Sequence, residues 1–155
     1  MSKIVMLDNV RSAQNVGSVF RTCEGAGVEK IYLGGYTPTP KDRFGRVRND
    51  VAKTALGAET ILPWQLLEKE QEVLTCLRKY KLSQYKIIAI EQTNDSIPFC
   101  SANIPQKAVY VFGNEIEGVS KNILNMVDEV IEIPMLGQKE SLNVSVTVGI
   151  ILFRC

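Results

Sequence analysis

At 155 residues the chain is long enough to fold as one domain that buries about two thirds of the surface its unfolded form exposes. Its 18 basic and 17 acidic residues exclude a global polycationic field, so any contact with nucleic acid must come from a local patch. The sequence has no histidine, which removes the commonest general base and metal ligand. Cys23, Cys76, Cys100 and Cys155 form no C-x-x-C pair, which argues against a zinc site and a disulfide framework. Four free thiols point to a reducing compartment. With no charged-then-apolar leader and no apolar run of about 18 residues, a soluble cytoplasmic protein is expected, without a membrane partner.

Residues 3–7 are an apolar run closed by Asp8 and Asn9 and predict the first strand. Val16, Val19, Phe20, Cys23 and Ala26 then fall on one face of a helix over 15–26, with Gly27 as its stop. Residues 30–33 predict a second strand. Residues 36–50 form a long loop carrying Pro38, Pro40, Lys41, Arg43, Arg46 and Arg48, and loops of that length are usually functional or disordered. A short helix is expected over 51–56 and a third strand over 59–62. Leu66, Leu67, Val73, Leu74, Leu77 and Tyr80 share one side of an amphipathic helix over 64–80. Residues 86–90 and 108–112 predict the fourth and fifth strands, 120–127 a helix capped by Ser120, and 130–133 a sixth strand. Strands that alternate with helices predict an α/β fold with a mainly parallel six-stranded sheet flanked by helices, as one domain over 1–155.

The closing stretch, 133–153, is almost uncharged after Glu140, so burial is expected. The polar atoms of Ser141, Asn143, Ser145 and Thr147 then need partners or a ligand. Residues 142–150 alternate apolar with polar or small side chains, as a strand would. Read the other way, Ser141 caps a helix that is apolar nearly all round. In an open parallel sheet ligands sit beyond the carboxyl ends of strands, and three loops qualify there by chemistry: 8–15, 113–120 and 134–143.

In the first loop, Gln14, Gly17 and Arg21 lie on one helical stripe with Asn15 at its mouth, a place for an anionic or ribose-bearing ligand. The alternative is that Asn15 is a plain N-cap and Arg21 a solvated charge. In the second, Gly113 and Gly118 are spaced like a phosphate loop, but no Lys-Ser or Lys-Thr follows the second glycine, so a Walker reading fails. Glu115 and Glu117 suit a neutral or cationic ligand or a ribose hydroxyl pair. The alternative is a glycine turn with solvated acids.

Residues 9–27, 111–120 and 133–146 together resemble, in order and spacing, the three motifs of the SpoU/TrmH branch of the SPOUT RNA methyltransferases. The stretch Lys53 to Glu59 is also similar to small members. The resemblance implies a C-terminal part threaded as a trefoil knot, which ordinary topology rules would not suggest. It implies a homodimer, S-adenosylmethionine as donor, and methylation of a ribose 2′-hydroxyl in RNA, tRNA rather than ribosomal RNA, with no metal. By the same resemblance Arg21, Asn15, Glu115, Ser141 and Asn143 are catalytic, and the cofactor lies against Gly113, Ile133, Met135 and Leu142. The closing stretch becomes a helix capped at Ser141 at the dimer face, with Ser145 and Thr147 turned towards packing. Guanidinium groups stay protonated in proteins, so Arg21 is read as holding a phosphate and orienting the hydroxyl while the proton leaves through Ser141, Glu115 or water. Lys41, Arg43, Arg46 and Arg48, with Tyr36 and Phe44 interleaved, form the expected RNA patch together with Arg21; a solvated loop is the alternative. Without the family's usual extensions, target selection falls to the knot dimer. A catalytically silent RNA-binding relative and an unrelated α/β nucleotide-binding protein are the competing readings.

Overall fold

The computed structural model describes residues 1–154; Cys155, read above as a free thiol, lies outside the described residues. In chain order the elements are β1 (Ser2–Asp8), α1 (Ala13–Gly25), β2 (Lys30–Gly34), α2 (Asn49–Ala55), α3 (Ala58–Ile61), β3 (Trp64–Leu67), α4 (Glu70–Leu82), β4 (Lys86–Ile90), β5 (Ile97–Pro98), β6 (Lys107–Phe112), α5 (Lys121–Leu124), β7 (Glu129–Glu132) and α6 (Val144–Leu152). Every strand pair is parallel, in the order β3-β2-β1-β6-β4-β7-β5. The sheet therefore has seven strands, not the expected six. The additional one, β5, is two exposed residues long, too short to leave a period in the sequence.

Side chains alternate across each strand, and in β1 this sends Val5 and Leu7 to one face and Ile4 and Met6 to the other. Both faces are covered, which is why the inner strands read as continuous apolar runs. On the first face lie Val16, Val19 and Phe20 of α1, Val51 and Ala55 of α2, and Val144, Val148 and Ile151 of α6. On the second lie Val73 and Leu77 of α4 and Ile123 of α5. Each fully buried side chain of this size contributes roughly 1.5–3 kcal/mol.

Several expected elements are corrected. Residues 58–61 are helical rather than a strand; one turn is too short to show a period. Residues 64–67 are β3 rather than the start of the long helix. Leu66 and Leu67 fit an apolar helical side equally well, but pairing with residues 31–34 of β2 decides the matter. The helix begins only at Glu70, where the Glu72 carboxylate accepts from the Lys69 amide at 3.2 Å. Helix α5 covers four residues instead of eight, because Met126 and Val127 pack against the second cluster without continuing the helix. The last segment is helical and not a strand, and its cap is Asn143 rather than Ser141. Nor is that stretch wholly buried: Ser141 and Asn143 are exposed, as are Leu142, Val146 and Ile150.

Candidate active site

The carboxyl ends of β1, β6 and β7 open into the three loops flagged by the sequence, and hydrogen bonds tie the first two into one piece. Asn9 follows β1 with φ 55°, a left-handed conformation in which Asn is several-fold enriched. Its carbonyl accepts from Asn114 Nδ2 at 2.8 Å, and the same amide donates to the Tyr36 hydroxyl at 2.9 Å. Asn114 itself is buried. It closes its loop by exchanging backbone bonds with Gly118, both 3.0 Å, while its Oδ1 accepts from the amides of Ile116 and Glu117. A side chain at Gly113 would lie 2.2 Å from the Val119 nitrogen, so this fold of the loop requires glycine there.

Helix α1 is capped by Ser12, whose hydroxyl accepts from the Asn15 amide at 3.2 Å; Asn15 is therefore not the cap. Ahead of the cap, Glu115 receives the amides of Arg11 at 3.0 Å and Ser12 at 3.2 Å, and Asn15 Nδ2 at 3.3 Å. Partial burial alone would raise the Glu115 pKa, but these donors, with its own backbone amide, outweigh it and hold the carboxyl below its ordinary value. Asn15 Oδ1 in turn accepts from Asn143 Nδ2 at 3.1 Å, and Asn143 Oδ1 accepts from the amide and hydroxyl of Ser145 at 2.9 and 2.7 Å. A continuous polar chain thus runs Glu115, Asn15, Asn143, Ser145 across all three loops. Ser145, expected in packing, is its last member.

Beside this chain is a cavity of about 290 Å³ at the ends of β4, β6 and β7. Gly113, Ile133, Met135 and Leu142 all line it, as do Glu115 and Ser141. Thr147, also expected in packing, faces it too. Glu91, Glu132 and Glu140 add carboxylates to the wall, which contains no lysine or arginine. Glu91, Asn114 and Thr147 were missed as site residues. Asn114 left a signal, an amide between glycine and glutamate in a loop that must close on itself; Glu91 left none, since its role is to accept the Val119 amide at 3.0 Å from a neighbouring loop.

Arg21 is not brought to the cavity. It lies six residues beyond Asn15, about 9 Å further along α1 and turned about 120° from it. Its guanidinium is exposed and makes no hydrogen bond or ion pair to another described residue. The stripe of Gln14, Gly17 and Arg21 exists, but its middle member is buried against α2, where an added Cβ would meet the Val51 carbonyl at 2.2 Å. It is a packing contact and not a ligand mouth.

In the basic loop, Arg46 is paired with Asp42 at 2.8 Å and Arg48 with Asp50 at 2.7 Å, which leaves Lys41 and Arg43 without an ion-pair partner among the described residues. Tyr36 belongs to the motif loops through its bond to Asn114. A second hollow of about 640 Å³ runs between Asp8 and Ser120 of those loops and Thr37 and Arg48 of the basic loop. At its inner end the Ser120 amide donates to Asp8 Oδ2 at 2.7 Å. Burial raises the Asp8 pKa against the pull of hydrogen bonds from Ser120 and Asn9. Among the described residues no group of three or more metal-ligating side chains is brought together, and no helix is long and apolar enough to cross a membrane.

Residues 2–153 match the model of the SpoU rRNA methylase family. The chain is 33% identical over 151 residues to a tRNA (guanosine(18)-2′-O)-methyltransferase of Aquifex aeolicus, covering 97% of this chain and 67% of that protein. It is 30% identical to a 23S rRNA (guanosine-2′-O-)-methyltransferase of Neisseria meningitidis, covering 96% of this chain and 56% of the other. Against some relatives it therefore spans little more than half their length. The solved A. aeolicus TrmH/SpoU tRNA modifying enzyme superposes with a TM-score of 0.82 at 29% identity, over 98% of this chain and 72% of that one. The SpoU methyltransferase AviRb of Streptomyces viridochromogenes, solved in complex with the cofactor AdoMet, superposes with a TM-score of 0.83 at 21% identity, over 97% and 57%. At that identity the likeness speaks for the fold.

Proposed function

The chain belongs to the SpoU rRNA methylase family, and from that premise we propose that it is an S-adenosylmethionine-dependent RNA methyltransferase, acting on a ribose 2′-hydroxyl of tRNA. The observation that carries this reading is the cavity wall, where the motif residues Gly113, Ile133, Met135 and Leu142 meet carboxylates and no basic side chain. Such a lining suits a cationic donor with an apolar body and disfavours a nucleoside phosphate. That weighs against the unrelated nucleotide-binding alternative. The preference for tRNA rests on the A. aeolicus relative.

S-adenosylmethionine supplies an electrophilic methyl group on a sulfonium. The residues of the chain must then align the hydroxyl and take up its proton. Glu115, ionised and saturated with donors, is a poor proton acceptor; it and Asn15 position the start of α1 against Asn143. Ser141, exposed on the cavity wall with no hydrogen bond among the described residues, is the group left to relay the proton to water. Arg21, exposed on α1 and without a polar partner among the described residues, holds a substrate phosphate. Lys41, Arg43, Arg46 and Arg48 of the basic loop extend the RNA-binding surface, with Arg48 on the wall of the second hollow. The family also supports a trefoil-knotted C-terminal part, a cytoplasmic homodimer, and a compact catalytic domain over these residues.

The test is incorporation of labelled methyl from S-adenosylmethionine into tRNA and ribosomal RNA, with mapping of the 2′-O-methyl site and calorimetry of donor binding. Donor binding with incorporation into tRNA is expected, and Arg21→Ala should abolish incorporation while leaving donor binding intact. Absence of donor binding would favour the nucleotide-binding alternative. Binding without incorporation would favour a silent RNA-binding relative, and full turnover by Arg21→Ala would remove that arginine from the mechanism.

A further inference from the structure

The turn over residues 41–47 is more ordered than a solvated loop needs to be. Lys41 and Val47 face each other as an antiparallel bridge, and the Arg48 amide donates to the Pro40 carbonyl at 2.9 Å. Inside the turn Asp42 works as a staple. Its Oδ1 accepts from the amides of Phe44 and Arg46 at 2.8 and 3.0 Å, and its Oδ2 from Arg46 Nε at 2.8 Å. The Asp42 amide and carbonyl bond to Arg46 and Gly45, both at 2.9 Å. Gly45 has φ 79°, a value that side-chain-bearing residues rarely adopt. Led by the hydrogen bond from the Arg46 backbone, these contacts hold the Asp42 carboxyl below its ordinary range.

All this order displays an apolar ring to water. Phe44 is 67% exposed and belongs to neither core cluster. The Arg43 and Arg46 guanidinium carbons lie 4.8 and 5.1 Å from its ring centroid, within cation–π range. Arg46 is fixed by Asp42; Arg43 has no other polar partner among the described residues and is free to follow a ligand. An aromatic face flanked by one fixed and one mobile guanidinium, on a turn bordered by further cations, matches the chemistry by which proteins hold an unstacked nucleobase and its phosphate.

We propose that the Asp42-stapled turn is a stacking finger, on which Phe44 receives an unpaired base of the RNA substrate while Arg43 engages the adjacent phosphate. The proposal rests on the RNA reading above. It differs from a simple basic patch in one respect: the acid within the patch helps binding. An electrostatic patch binds RNA more tightly when a carboxylate is removed from it; a preorganised finger binds less tightly when its staple is removed.

The experiment measures binding of the full chain, at fixed salt, to tRNA, to a single-stranded oligonucleotide and to a fully paired RNA duplex. Phe44→Ala should weaken binding to the first two roughly tenfold and leave the duplex unchanged. Phe44→Tyr and Phe44→Trp should restore binding to within about twofold of the original, since stacking needs a π face and not a particular ring. Asp42→Ala should weaken single-strand binding despite removing a negative charge from the patch. Tighter binding by Asp42→Ala, or equal binding by Phe44→Ala, overturns the finger while leaving the RNA reading intact. An unaltered chain that binds no RNA overturns that reading as well. S-adenosylmethionine affinity, read at the distant cavity, confirms that each variant is folded.

Discussion

Glu115 is committed before any substrate arrives, since its carboxylate already receives three donors from the start of α1. Its pKa is lowered on folding, so the stability it adds is present above the unfolded value near pH 4 (about 4.3) and is lost as pH falls through the lower folded value. Glu115→Gln should therefore unfold at lower urea than the original chain at pH 7. The difference should be small, at most about 1 kcal/mol because the group is largely exposed, and should shrink as the pH is lowered through the folded pKa; a gap that does not change on acidification would remove the charge from the explanation. Glu115, Asn15 and Asn143 were legible as a set because each stands in a polar motif beyond a strand end. Their mutual bonding was not, since partners about 100 and 128 residues apart leave no trace in local spacing. Arg21 shows the opposite limit. Its helical phase relative to Gly17 could be computed, but which neighbour that face meets depends on α2.

At the scale of elements, α6 shows how a period misleads. Residues 142–150 alternate like a strand, yet the buried members, Val144, Val148 and Ile151, follow the spacing of four and three that a helix face requires. Asn143 decides the conformation at its start, where the side chain accepts from the Ser145 amide. Asn143→Ala removes that cap and the tie to Asn15 together. It should cost about 1 kcal/mol and speed amide exchange in the first turn of α6 more than elsewhere; uniform exchange changes would show that the cap is not what holds that turn. The misread boundary between β3 and α4 has a different cause, because apolar pairs such as Leu66 and Leu67 satisfy both templates and only pairing with β2 separates them.

For the whole molecule, alternation of strands and helices was enough to expect a parallel α/β sheet. Strand order was not legible, because no local pattern tells β1 that its neighbours are β2 and β6. The apolar pair Val146 and Ile150, exposed one turn apart on α6, is where the proposed homodimer would bury surface, since apolar residues gathered on one face mark an interaction site. Val146→Glu with Ile150→Glu should convert a dimer to a monomer by sedimentation, and an unchanged dimer would place the interface elsewhere. The central position of β6, hydrogen-bonded to both β1 and β4, also sets a schedule for synthesis. Ser2 pairs with Lys107, so at about 5–20 residues per second the first strand waits roughly 5–20 s on the ribosome before its second neighbour exists. During that interval Ile4, Val5, Met6 and Leu7 have one open strand edge, and the nascent chain should be at its most dependent on chaperones then.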